Sequence, residues 1–168
     1  MIFKKTITTI MLVCFVAMSV SAQDKKPASP AATAAGKING ANITIVYSSP
    51  FVKGRTIWGD LVPYGKVWRA GANAPTTFTT DKLLMVEGQS LPAGTYSIYI
   101  IPEKETATVI FGKDVKMGAS DYKDSQDQLR VNVKPKKSAQ MNESIVYKVN
   151  NNNVTLSWEN LDIPISVK

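Results

Sequence analysis

Arg55 and Arg69 stand among two tryptophans and two tyrosines in residues 47–73, YSSPFVKGRTIWGDLVPYGKVWRAGAN. A guanidinium is a planar fork that grips carboxylate, phosphate or sulfate through paired hydrogen bonds. Tyr47, Trp58, Tyr64 and Trp68 supply flat apolar faces of the kind that cover a sugar ring while polar neighbours take its hydroxyls. Asn73, after Gly71-Ala72, can present its amide to a ligand. Each feature also has a structural explanation. Arginines beside aromatics serve packing and cation–π contact, aromatics fill cores, and an Asn after Gly-Ala closes a turn through its own backbone. If Trp68 faces the core, strand alternation turns Arg69 the other way, toward a cleft.

Catalytic groups are scarce. The chain has no histidine, and its one cysteine, Cys14, lies in the apolar leader. Downstream of the leader that excludes Cys nucleophiles, Ser-His-Asp triads and His- or Cys-ligated zinc. Asp60 is a single carboxylate without an identifiable partner, whereas glycoside hydrolysis ordinarily uses two. Ser48 and Ser49 would need a lysine as base, and Lys53 and Lys66 are near them only in sequence. Asp121, Asp124 and Asp127 make an oxygen-rich loop, but the spacing is not that of an EF-hand and Lys123 opposes a cation. No metal and no cofactor is expected.

The elements that must position these residues begin after a leader. Lys4 and Lys5, the apolar stretch Ile7 to Val20 and the small residues Val20-Ser21-Ala22 form a secretory signal, residues 1–22, with cleavage expected before Gln23. The apolar stretch is shorter than the ~20 residues that span a bilayer, and no later run approaches that length. Gln23 to Gly36 is Ala, Pro, Ser and Lys with no large apolar residue, which predicts a disordered linker over 23–36 and a domain over 37–168. Formal charge is +7, or +5 without Lys4 and Lys5. The basic residues are scattered, the densest group being Lys134, Lys136 and Lys137, so no nucleic-acid surface is expected.

Within the domain, short apolar alternations recur. Ile43, Ile45 and Tyr47 form one, Leu129, Val131 and Val133 another, and Thr95 to Ile101 is apolar on both faces, hence central. Asn150 to Asn153 separates two more alternating runs as a hairpin loop, and Ile163, Ile165 and Val167 close the chain. The pattern predicts an all-β fold, a single antiparallel β-sandwich of about eight or nine short strands. Inside 47–73, Val62-Pro63-Tyr64-Gly65 is a turn signal, and Val67-Trp68-Arg69 reads as a short strand.

The stretch 47–73, the later VEGQSLPAGTYSIYIIP and the terminal SWENLDIPISVK resemble domain-of-unknown-function family 2911 over nearly the whole domain. The resemblance implies an all-β domain of the secreted or envelope proteins of Bacteroidetes-type bacteria, at the periplasm or cell surface. It implies no activity and no catalytic residues. This chain departs from the family pattern at Ser49, where the common form has Arg, and at Ala74-Pro75, where it has Glu. If those two charges pair in relatives, losing both together avoids an unpaired buried charge, which would cost several kcal/mol (~3–5).

Three functional readings follow. The first is a non-enzymatic module that binds a small molecule, a glycan or an envelope protein through Tyr47, Arg55, Trp58, Tyr64, Trp68, Arg69 and Asn73. The second is an envelope hydrolase using carboxylate, Lys or Ser chemistry. The third is a structural envelope protein whose 47–73 stretch is packed core.

Overall fold

Residues 28–168 are described by a computed structural model of the chain. The leader 1–22 and the first part of the expected linker lie outside the described residues. The fold is all-β. Among the described residues ten strands run in order: β1 (Ala31–Ile38), β2 (Ala41–Ser48), β3 (Thr77–Thr80), β4 (Leu84–Val86), β5 (Gln89–Leu91), β6 (Gly94–Pro102), β7 (Ala107–Gly112), β8 (Asp127–Val133), β9 (Lys136–Val149) and β10 (Asn153–Ser166). Six form one antiparallel sheet in the order β1-β2-β3-β6-β7-β8, and β9–β10 and β4–β5 are hairpins.

Two expectations need correction. Ala31 to Gly36, read as linker, is strand β1 and pairs with β2 along its whole length. Its alanines bury little, and what orders it is the ladder it makes with β2, which composition does not reveal. The joining turn is Asn39-Gly40, both at positive φ (48° and 76°), as a two-residue hairpin requires. The strand count also rises to ten, because β1 and the short β5 add to those expected, and β9 begins at Lys136, earlier than the alternation from Ile145 shows. The final apolar alternation is not a separate strand but the end of β10, which continues through register shifts at Ser157/Glu159 and Glu159/Leu161.

Other expectations hold. The doubly apolar Thr95 to Ile101 segment is β6, flanked by β3 and β7 and buried at five consecutive positions from Tyr96 to Ile100. One core cluster takes Ile43, Ile45 and Tyr47 from β2, Ile98 and Ile100 from β6, and Tyr147, Leu156 and Trp158 from the β9–β10 hairpin. Tyr47 and Tyr147 meet edge to face at 4.8 Å. Between β2 and β3 lies the irregular chain 49–76, held by isolated bridges, Phe51 to Ser144, Trp58 to Val62 and Trp68 to Ile100. Its anchors are Val52, Ile57, Val62 and Ala70, all buried. Burying a side chain the size of Ile57 contributes roughly 2 kcal/mol, enough to fold a segment that has almost no ladder.

The tyrosines give the fold an alkaline limit. Burial raises the Tyr147 phenol well above its ordinary value and raises Tyr96 and Tyr99. Tyr122 is pushed up to about 12, by burial first and then by its hydrogen bond to Asp127. A group whose pKa is higher folded than unfolded stabilises fully below its unfolded pKa, about 10 for tyrosine. That contribution is lost as pH rises from there through the folded value. The melting temperature should therefore stay level up to about pH 9.5 and fall steadily from about pH 10 to 12. Thermal melts across that range check it, and Tyr122→Phe should fall less steeply than the parent. A level profile to pH 12 would remove the tyrosines from this account.

Candidate binding cleft

The irregular chain folds around an open cleft of about 580 Å³. Its cations are Lys53, Arg55 and Arg69, and its apolar surface includes Phe51, Leu61, Trp68 and Trp158. Among the described residues no carboxylate lines it, and the Glu143 carboxylate accepts from the backbone N–H of the lining residue Lys53 at 2.9 Å. Arg55 reaches its place by folding back on its own turn, with Nε donating to the Val52 carbonyl at 3.0 Å and the guanidinium also donating to the Phe51 carbonyl. Lys53 and Gly54, both at positive φ, make that turn. Arg69 donates one N–H to the Asn73 carbonyl. A guanidinium carries five N–H donors, so each arginine keeps most of them. Among the described residues the ion pair is Arg130 with Asp127, outside the lining of this cleft, and none of the three cleft cations is in one.

The floor is a cluster of three tryptophans. Trp68 stacks on Trp158 at 5.7 Å with the rings 17° apart, and Trp58 meets both edge-on at 5.8 and 6.1 Å. Trp158 is fully buried on β10, while Trp58 and Trp68 are half-buried. The rim beyond Arg69 is fixed from beneath. Ala70, fully buried at φ 52°, has a carbonyl that accepts from the hydroxyls of Tyr147 (2.8 Å) and Thr76 (3.1 Å). Asn73 donates its amide to the Ser29 carbonyl at 3.3 Å, which brings the chain just before β1 into the wall.

Of the seven residues singled out from sequence, the cleft brings together Arg55, Trp68, Arg69 and Asn73. Tyr47 is core, its hydroxyl accepting from the Tyr147 backbone N–H at 3.3 Å. Trp58 touches the site only through the other two indoles. Tyr64 is exposed and packs over Gly59, outside the lining. Strand alternation does not separate Trp68 from Arg69, since both line the cleft. Trp68 sits in a single bridge rather than a strand, and the left-handed Ala70 turns the chain directly after Arg69. Sequence reasoning missed Trp158, Phe51 and Lys53. Phe51 lies inside the stretch beside larger or forked neighbours, Lys53 is weighed there only as a base for Ser48 and Ser49, and Trp158, on the alternating run after Asn153, signals burial but not the cleft.

The residues weighed for catalysis do not converge. Asp60 and Lys66 are exposed and outside the lining, and the Ser49 hydroxyl is buried and bonded to the Ile145 carbonyl at 2.6 Å. Asp127 spends its oxygens on Tyr122 and Arg130. Among the described residues no three His, Cys, Asp or Glu side chains come together.

Residues 29–167 match the model of a family described as protein of unknown function (DUF2911). The chain belongs to this family. Comparison with curated proteins and with solved structures finds no match. In this DUF2911 chain the matched span takes in every strand and the whole cleft except Ala28. The buried Ser49 hydroxyl bonded to β9 leaves no unpaired polar group at that position. No helix among the described residues is long and apolar enough to cross a membrane.

Proposed function

We propose that this DUF2911 domain is an exported, non-enzymatic binding module whose cleft takes the anionic group of a small ligand or of an envelope partner. The observation that carries the reading is the juxtaposition of Lys53, Arg55 and Arg69 around one concavity with no carboxylate in its lining among the described residues. Gathering like charges costs free energy unless an anion offsets it, and guanidinium donors held by backbone carbonyls are already oriented for one. The apolar indole floor lowers the local dielectric and strengthens such a contact. Export rests on the leader, residues 1–22. We read the six-stranded sheet and the β9–β10 hairpin, which share one core, as the two layers of a single sandwich.

The test is an NMR titration with sulfate that follows the three tryptophan indole N–H signals. Sulfate should move the Trp68 and Trp158 signals in the parent. Arg55→Met with Arg69→Met should weaken the effect about tenfold or more, the usual scale for losing charge-assisted bonds. Added chloride should weaken it too, because the cleft is open to screening. Each single variant should keep its stability within about 1 kcal/mol, as most substitutions outside the core do. Equal shifts in parent and double variant would sink the reading.

A further inference from the structure

The body that carries the anionic group is narrowed by what the cleft lacks. Besides its three cations, the lining is apolar except for Ser29 and Asn73. The Asn73 amide donates one N–H to the Ser29 carbonyl, so the side-chain acceptors left are its Oδ1 and the Ser29 hydroxyl. The backbone carbonyls of Phe51, Val52 and Asn73 are taken by the two arginines. A sugar brings several hydroxyls, each of which donates as well as accepts, and each must find a partner when it leaves water. This cleft offers donors in plenty and very few acceptors. An apolar body needs none, and it gains from covering Phe51, Leu61 and Trp68.

Building on the anion reading above, we infer that the cleft takes an amphipathic carboxylate, an apolar body of about one ring with a single anionic end, rather than a glycan. The carboxylate lies on the guanidinium groups of Arg55 and Arg69. The apolar body lies on the indole floor. Arginine and lysine do not change charge between mildly acid and mildly alkaline pH, so affinity follows the ionisation of the ligand's own carboxyl and falls when that is protonated.

The same NMR titration on the exported chain tests this with four probes: phenylacetate, acetate, phenylacetamide and glucuronate. Phenylacetate should bind at least ~10-fold more tightly than acetate, which lacks the ring, and than phenylacetamide, which lacks the charge. Glucuronate, a charged sugar ring, should bind no better than acetate. Phenylacetate affinity should drop as pH falls through about 4, where a carboxyl of this kind protonates. Glucuronate equal to or tighter than phenylacetate would overturn the ligand class while leaving an anion cleft standing, as would acetate matching phenylacetate. Phenylacetamide matching phenylacetate would overturn it by removing the role of charge. If neither sulfate nor any of the three carboxylates moves an indole signal, the anion reading itself fails along with this one.

Discussion

Trp158→Ala is expected to remove roughly 3–5 kcal/mol of folding stability, the range for truncating a buried aromatic. The side chain is 1% exposed and packs in the middle of β10. It is the common partner of Trp58 and Trp68, which lean on it edge-on and face-on. Removing it leaves a cavity under both, and a domain of this size has only about 5–15 kcal/mol in total. Trp68→Ala should cost about half as much or less, because half-buried Trp68 gives up less protected surface. Urea unfolding of both variants settles the order. If Trp68→Ala proved the costlier, the hairpin tryptophan would not be the keystone of the cluster, and the cleft floor would have to be rebuilt around Trp68.

That ordering could not be read from the sequence, and the reason is distance along the chain. Local signals carried most of the fold. Alternation marked β2 and β8, the doubly apolar run marked β6 as central, and the Asn-rich loop marked the β9–β10 hairpin. They failed where a strand is ordered by its ladder instead of its side chains. In β1, six of the eight residues are alanine, glycine or threonine, and only the Asn39-Gly40 turn announced the pairing. In the candidate site, density of rigid and forked residues pointed to the stretch that folds around the cleft, and four of seven chosen residues line it. The other three failed through orientation. Alternation holds in a ladder, where it turns Tyr47 of β2 into the core, but the chain at 68–69 is held by a single bridge, and there adjacent Trp68 and Arg69 face the same cleft.

The rim of the cleft provides a separate measure of how tightly the scaffold fixes the site. A side chain at Gly71 would begin 2.5 Å from the Thr76 hydroxyl and 3.3 Å from the Ser48 carbonyl. That hydroxyl is not idle, since it donates to the buried Ala70 carbonyl, and the Ser48 carbonyl accepts from the Ala72 N–H at 3.2 Å. Gly71→Val must therefore displace one bond or the other and push β2 away from the rim. Overpacking costs about 1–3 kcal/mol, and a lost buried hydrogen bond adds about 1 more, so a loss of roughly 2–4 kcal/mol is expected. Because Arg69 and Asn73 flank the same turn, sulfate should also bind more weakly to the fraction that remains folded. Gly54→Val is the matched control. It has nothing within 4 Å of the added carbon, and its cost is confined to the left-handed backbone at φ 67°, about 1–2 kcal/mol. Chemical unfolding of the pair distinguishes crowding from backbone strain. Equal losses at the two positions would mean that Thr76 and Ser48 yield freely, and that the rim carrying Arg69 is softer than its hydrogen bonds imply.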